Sequence, residues 1–327
     1  MNLTDPYPSS LSSVENSRTR VFIGLEDLIR LKADARGFSF LPRQPVTSLL
    51  AGRRASRLRG RGLDFEELRP YHQGDDIRAM DWRATARLRS PHVRVYTEER
   101  ERPVLLVVDQ RRSMFFGSRR AMKSVAAAEV AALGAWRVLA VGDRVGGIVF
   151  NDDEIVHLAP HRSRTRVLRL LHEVARLNQG LAERAGTVPS RVTLNQVLEA
   201  ALRRAGHDCL VVLISDLDGA DSDTQRLATL LAGHNDLLGI AVYDPLGVSL
   251  QGRPGMVATD RGATYALPSG EAFSASFRKA SSARLEQWME IFRALRVPML
   301  PVSTAFSPVD QLRDLFGAHF YRRPDRP

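Results

Sequence analysis

Residues 103–117, PVLLVVDQRRSMFFG, constrain the fold of this chain more than any other stretch. Val104 to Val108 form an unbroken run of valine and leucine, which is typical of a short strand buried on both faces. The run ends at Asp109, polar residues follow, and an alanine-rich helix is predicted from about Ser118. A buried strand that leads through a polar loop into a helix is the opening unit of an α/β domain.

The rest of the chain continues this alternation of strands and helices. Short apolar runs predict strands, and apolar residues at helical spacing predict helices. The further predicted strands are 145–150, 154–158, 210–214, 237–242, a β-rich stretch at 256–266, and 299–302. The further predicted helices are 24–31, 163–177, 194–205, 224–232, 273–295 and 309–316. This order predicts an α/β fold with a doubly wound, mostly parallel sheet covered by helices on both sides.

The sequence pattern divides the chain into a tail, an appended segment, a sheet domain and a second tail. Residues 1–19 are predicted to be disordered, because proline, serine, asparagine and acidic residues occur there without apolar periodicity. Residues 20–102 are predicted to form an appended N-terminal β/loop segment. Residues 103–317 form the sheet domain, and residues 318–327 form a C-terminal tail.

Composition is that of an ordinary globular protein, with 44% hydrophobic and 26% charged residues. The single cysteine, Cys209, excludes an internal disulfide or a cysteine-rich metal site, and its apolar neighbours predict a buried thiol. The first residues show no secretory signal pattern. The most apolar stretch, Val125 to Val141, is interrupted by Glu129 and Arg137, which favours a buried helix over a membrane span. We therefore expect a cytoplasmic protein.

The formal net charge is +10, and five arginines lie between Arg53 and Arg61. One hypothesis is therefore a nucleic-acid-binding protein that uses this arginine cluster. However, acidic residues are interspersed with basic ones from Arg53 to Arg102, which is more typical of an ion-paired segment. Nucleic acid is for this reason the less favoured partner.

A candidate site follows from the ends of two predicted strands. Asp109 and Asp216 each come directly after, or one residue beyond, a buried apolar run. If these strands are neighbours, both carboxylates lie in the crevice at the carboxyl ends of the strands. Paired carboxylates, together with the hydroxyl groups of Ser113 and Thr193, are oxygen ligands of the kind that a divalent cation takes.

An ordered signature between residues 60 and 87 carries a family resemblance. It begins with Gly60-x-Gly62 and continues through Phe65, Arg69, Tyr71, Gly74, Asp75, Asp76, Arg78, Asp81, Trp82 and Arg87. On these residues the chain resembles the bacterial family called domain of unknown function 58, well from about Gly60 to Asp216 and more weakly beyond. It is similar to the short form that lacks amino-terminal membrane helices. The resemblance implies two kinds of partner, MoxR-type AAA+ ATPases and other von Willebrand factor A proteins.

The carboxyl-terminal part of this family resembles a von Willebrand factor A domain, whose metal-ion-dependent adhesion site reads Asp-x-Ser-x-Ser, then Thr, then Asp. The resemblance assigns these roles to Asp109, Ser113, Thr193 and Asp216, but Arg111 stands where the first serine is expected. A guanidinium pairs well with carboxylates, so we expect Arg111 to replace the cation in a degenerate, metal-independent site. The alternatives are a weak Mg²⁺ site formed by the other four residues, and an Arg111 that faces solvent. No other cofactor is expected.

The usual signatures of catalysis are absent from the sequence. It contains no P-loop, no Gly-x-Ser-x-Gly motif and no His-Glu-x-x-His motif. A hydrolase that uses Asp75, Asp76 and Asp81 is a remote alternative, since alternation with Arg78 and Arg83 favours ion pairing.

The sequence thus predicts a chaperone-like, non-catalytic module for protein–protein interaction. The family resemblance implies an adaptor or partner of a MoxR-type ATPase in the assembly or maturation of other proteins. In the degenerate site, Arg111 or Arg112 would receive a carboxylate of the partner.

Overall fold

The structure is a computed structural model that describes residues 20–36, 63–73, 75–98, 103–181, 190–248, 250, 255–260, 263–294 and 297–317. The chain divides into two compact units. The smaller unit is Gln44–Glu101, and the larger unit combines Met1–Arg43 with Arg102–Pro327.

Strands and helices alternate through most of the described part of the chain. The strands are β1 (Leu63–Pro70), β2 (His92–Glu98), β3 (Val104–Asp109), β4 (Val145–Phe150), β5 (Ile155–His161), β6 (Leu210–Ser215), β7 (Asp236–Tyr243), β8 (Val257–Asp260), β9 (Ala263–Ala266) and β10 (Met299–Ser303). The helices are α1 (Leu25–Arg30), α2 (Trp82–Leu88), α3 (Lys123–Ala140), α4 (Arg164–Gln179), α5 (Leu194–Arg204), α6 (Ser222–Ala232), α7 (Pro245–Val248), α8 (Glu271–Ala294) and α9 (Pro308–Gly317).

A six-stranded sheet forms the centre of the larger unit, with the strand order β10-β7-β6-β3-β4-β5. All neighbouring strands are parallel except β5, which runs antiparallel to β4. The predicted α/β fold with a mostly parallel sheet is therefore confirmed. The β-rich stretch near residue 260 is a separate antiparallel hairpin of β8 and β9.

Both faces of the central strands are buried. In β3, Val104, Leu106 and Val108 belong to one hydrophobic cluster, while Leu105 and Val107 belong to a second cluster. Every residue of β3 and of β6 is buried. Because side chains alternate along a strand, an unbroken apolar run is what a strand covered by helices on both faces requires.

Helix α3 begins at Lys123, whereas the sequence predicted a helix from about Ser118. The difference has a local cause. The Ser118 amide and hydroxyl donate hydrogen bonds of 2.9 and 2.6 Å to the buried carboxylate of Asp244, just after β7. These bonds hold Ser118 in the loop, and Met122 is the extended residue that precedes the helix.

Residues 20–36 pack in the larger unit, although the sequence analysis grouped them with the segment that extends to residue 102. The Arg20 amide donates to the Arg120 carbonyl at 2.8 Å, and the Met122 amide donates to the Arg20 carbonyl at 3.0 Å. The indole of Trp136 on α3 donates to the carbonyl of the buried Leu28 at 3.0 Å. Backbone hydrogen bonds therefore join Arg20 to the loop before α3, and the Trp136 indole and apolar contacts join α1 to α3.

The smaller unit contains an antiparallel β1–β2 hairpin with a bulge between Phe65 and Glu67. A 3₁₀ turn, Ile77–Ala79, and helix α2 lie between the two strands in sequence. The β/loop segment predicted from the sequence thus also contains a helix. Helix α2 lacks apolar periodicity, and Asp81 defines its start by accepting hydrogen bonds from the amides of Arg83 and Ala84.

Candidate functional site

The candidate site lies at the carboxyl ends of β3 and β6, which are adjacent parallel strands. The register pairs Val108 with Ile214, so Asp109 and Ser215 end their strands side by side, and Asp216 follows. This edge brings together four of the predicted site residues: Asp109, Arg111, Ser113 and Asp216.

Arg111 turns back onto Asp109 and binds its carboxylate with two groups. Arg111 Nη2 lies 2.7 Å from Asp109 Oδ2, and Arg111 Nε lies 3.1 Å from Oδ1. The Arg111 amide donates to Oδ1 at 3.0 Å, and the Ser215 hydroxyl donates to Oδ2 at 2.6 Å. Arg111 Nη2 also donates to the Asp218 carbonyl at 3.0 Å, and the guanidinium lies 5.4 Å from the ring centroid of Phe150. Arg111 is only 6% exposed, so it does not face solvent.

Asp216 has its own cation, which the sequence analysis missed. Lys123, the first residue of α3, places its ammonium 2.6 Å from Asp216 Oδ2. Asp216 Oδ1 accepts from the Ser113 hydroxyl at 3.3 Å and from the Asp218 amide at 3.0 Å. The only signal in the sequence is that Lys123 is one of three lysines in a chain whose other basic residues are arginines.

These contacts determine the charge state of the site. Burial disfavours the charged form of Arg111, but the Asp109 carboxylate outweighs this effect and raises the pKa of Arg111 above its ordinary value. Burial also opposes ionisation of Asp216, yet the Lys123 ammonium outweighs it and lowers the pKa of Asp216. For the fully buried Asp109, burial raises the pKa, and Arg111 acts against that rise. With both carboxylates ionised, the site contains two acid–base pairs and has no net charge.

Thr193 does not join the cluster. It is the exposed residue that precedes α5, and its hydroxyl accepts from the Gln196 amide at 3.3 Å. Within the described part of the chain, no hydrogen bond connects Thr193 with Asp109, Ser113 or Asp216. The resemblance placed Thr193 in the adhesion site, whereas here its hydroxyl and the Gln196 side chain cap the helix reciprocally.

The residues at this edge do not fit a divalent cation. The carboxylate oxygens that would hold the ion already accept hydrogen bonds from Arg111, Lys123, Ser113 and Ser215. Two positive side chains next to the carboxylates would repel a further cation. Over the described residues, no group of three or more histidine, cysteine, aspartate or glutamate side chains could hold a metal ion.

The loop from Gln110 to Met122 connects the two acid–base pairs and exposes aromatic side chains. Phe115 stacks on Phe22 with ring centroids 5.6 Å apart, and Phe116 is 42% exposed. A Cβ on Gly117 would lie 2.2 Å from the Ala121 carbonyl oxygen, so only glycine fits there. The sequence Phe115-Phe116-Gly117 in the polar loop after the predicted strand is the signal that could have identified this surface.

The acidic residues of the family signature each form their own hydrogen bonds within the smaller unit. Arg69 binds Asp75 with two nitrogens at 2.8 and 2.9 Å, and this hydrogen bonding lowers the pKa of Asp75. Asp76 accepts from the Arg78 amide, and Asp81 caps α2. Each of the three acids therefore accepts hydrogen bonds that stabilise local structure.

The other signature positions have different environments. The Tyr71 amide donates to the Pro91 carbonyl at 2.8 Å, and the backbone of Phe65 pairs with Tyr96 in the hairpin. Gly74 lies outside the described residues, as does the arginine cluster 53–61. Arg78, Trp82 and Arg87 are exposed.

The sequence also predicted that Cys209 is a buried thiol and that the apolar stretch from Val125 is a buried helix. Cys209 is buried, and burial raises the pKa of its thiol to about 11. The apolar stretch from Val125 belongs to α3, which is buried along most of its length. None of the helices in the described ranges combines the length and apolar character needed to cross a membrane.

Comparison with known proteins gives a family but no activity. Three relatives are an uncharacterized protein of Mycobacterium bovis and uncharacterized proteins from two strains of Mycobacterium tuberculosis. Each is 28% identical over 277 residues, which cover 84% of this chain and 85% of the relative. The model of the family described as "Protein of unknown function DUF58" matches residues 67–286, more than half of the chain. The chain therefore belongs to the DUF58 family.

Proposed function

We propose that this protein is a non-catalytic, metal-independent module for protein–protein interaction, with a von Willebrand factor A-like sheet and a degenerate adhesion site. The observation that carries the proposal is the pair of contacts Arg111–Asp109 and Lys123–Asp216. They support it because the family resemblance assigns metal binding to these two carboxylates, and each is here paired with a side-chain cation. Through these contacts Arg111 and Lys123 join the two ends of the loop to the carboxyl ends of β3 and β6, and Phe116 in this loop is 42% exposed. This arrangement supports the use of the loop for protein binding.

For Arg111 we propose a role different from the expected contact with a partner carboxylate, while the same expectation for Arg112 stays a prediction. Arg111 already uses Nε and Nη2 for Asp109 and is almost fully buried, so it is poorly placed to receive a carboxylate of a partner. Phe116 is accessible and lies between the two pairs in sequence. We therefore assign partner recognition to Phe116 in the loop from Gln110 to Met122, and we assign to the two paired carboxylates the role of holding the ends of that loop.

The partner that the family resemblance suggests is a MoxR-type AAA+ ATPase in the cytoplasm. In this role the protein would be an adaptor between the ATPase and the proteins whose assembly or maturation it promotes. Other von Willebrand factor A proteins are further candidate partners.

Substitution of Phe116 tests this proposal. We expect Phe116→Ser to weaken association with a MoxR-type ATPase by about tenfold or more, because exposed aromatic anchors dominate the energy of many interfaces. Leu230→Ser on α6 is the matched control, since Leu230 is 46% exposed and Phe116 is 42% exposed. Affinity is measured by pulldown and calorimetry with ATP or ADP present.

Two results would contradict the proposal. One is the absence of association between the wild-type chain and the ATPase in either nucleotide state. The other is a Phe116→Ser variant that binds the ATPase as tightly as the Leu230→Ser control.

A further inference from the structure

The smaller unit exposes two large apolar side chains close together in sequence. Trp82, the first residue of α2, is 66% exposed, and Ile77 in the preceding 3₁₀ turn is 61% exposed. Large exposed apolar side chains of this kind are candidates for an interaction site. Neither residue belongs to the loop from Gln110 to Met122, to which the proposed function assigns partner binding.

Several arginines lie close to Trp82 in the sequence. Among the residues that the structure describes, the side chains of four exposed arginines form no ion pair or hydrogen bond: Arg78, Arg83, Arg87 and Arg89. The nearby acids are already engaged, because Asp75 binds Arg69 while Asp76 and Asp81 accept from backbone amides. The sequence analysis expected ion pairs between these acids and the arginines, and for Arg78 and Arg83 that expectation is wrong.

A groove lies beside the same helix. It has a volume of about 510 Å³ and is lined by Leu68, Asp81, Arg83, Ala84 and Arg87. Arg83 and Arg87 are one helical turn apart, so their guanidinium groups can bind successive acidic groups along one ligand. Asp81 Oδ1 is occupied by the amides that it caps.

We propose that this surface, defined as the groove with Trp82 and Ile77, binds an acidic segment of a partner protein. Carboxylates of the segment pair with Arg83 and Arg87, where bidentate geometry is available, and an apolar side chain of the segment covers Trp82. The exposed Trp82 ring could stack on a nucleic-acid base, but the carboxylate of Asp81 in the groove wall disfavours a continuous phosphate chain, and Ile77 adds an aliphatic surface that a base does not need. A protein segment that combines acidic and apolar residues is the better match.

Fluorescence anisotropy with the full-length chain tests this proposal. The probe is a fluorescein-labelled twelve-residue peptide, Asp-Glu-Leu-Phe-Glu-Asp repeated twice. We expect binding that weakens at least about tenfold in Arg83→Ala/Arg87→Ala and in Trp82→Ala, and that decreases as salt is added. The matched control is Arg166→Ala/Arg169→Ala, which removes two exposed arginines from α4 of the larger unit and leaves binding unchanged.

In a second peptide, glutamine and asparagine replace the acids. This peptide distinguishes charge-dependent binding from non-specific apolar binding, and it is expected not to bind. The proposal is overturned by a wild-type chain that does not bind the acidic peptide, or by equal binding of the wild type and Arg83→Ala/Arg87→Ala. It is also overturned if a single-stranded oligonucleotide displaces the peptide and shows the same dependence on Arg83 and Arg87, because the surface would then bind nucleic acid. Phe116→Ser leaves peptide binding intact, so this result is independent of the ATPase proposal.

Discussion

Arg111→Ala is expected to lower the free energy of unfolding by about 3–5 kcal/mol, because it leaves a fully buried carboxyl without its cation. Asp109 would keep its hydrogen bonds from Ser215 and from the backbone amide of residue 111, but these do not neutralise its charge. The buried Asp109 would respond by taking up a proton, which recovers part of the loss. Chemical denaturation at pH 7 measures the change.

A double-mutant cycle separates the energy of the ion pair from the energy of lost packing. The loss in free energy of unfolding in Asp109→Asn/Arg111→Met is expected to be smaller than the sum of the losses in the two single variants, by about 1–3 kcal/mol. Arg166→Ala on the exposed face of α4 is the control, with an expected change of less than about 0.5 kcal/mol. A loss below about 1 kcal/mol in Arg111→Ala would show that the pair is not structurally important.

Lys123→Met is expected to lower the free energy of unfolding at pH 7 by about 2–3 kcal/mol, somewhat less than a fully buried pair. The effect is smaller because Lys123 is 14% exposed and Asp216 keeps its hydrogen bonds from Ser113 and from the Asp218 amide. Lys279→Met, at an exposed lysine of α8, is the matched control and is expected to have almost no effect.

The loss of stability caused by Lys123→Met is expected to become smaller as the pH falls. The pKa of Asp216 is lowered in the folded wild-type protein, so its contribution to stability is present above the ordinary carboxyl pKa and is lost as the pH falls through the lowered value. Without Lys123, the buried Asp216 takes up its proton at a higher pH. The stability difference between the wild type and the variant should therefore narrow as the pH decreases from 7. A difference that is constant down to acid pH would contradict this.

Much of the sheet could be predicted from the sequence, because β3 and β6 are unbroken apolar runs that form strands whatever surrounds them. The start of α3 could not, since it depends on a contact between Ser118 and Asp244, which lie 126 residues apart. That error also concealed Lys123, because a residue placed in the second turn of a helix is not expected to reach the end of β6. Long-range contacts of this kind leave no local pattern in the sequence.

The candidate site was predicted in part for similar reasons. The positions of Asp109 and Asp216 could be predicted because each stands at the end of a predicted strand, and the two come together once β3 and β6 are neighbours. Arg111 could be predicted to lie near Asp109 because one residue separates them. Thr193 was assigned from a motif, but the sequence around it also matches a capping box with Gln196, and that local interaction is what the structure shows. Helix α2 was missed because its start depends on the Asp81 cap rather than on apolar spacing.

We propose that the side chains of Arg111 and Lys123 occupy the place of a metal ion beside Asp109 and Asp216. Calorimetric titration of the full-length protein with Mg²⁺ and Mn²⁺ tests this proposal most directly. We expect no binding by the wild type, and binding by Arg111→Ser/Lys123→Ala, in which the carboxylate oxygens are released. Micromolar binding of either ion by the wild type, abolished by Asp109→Ala, would contradict the proposal.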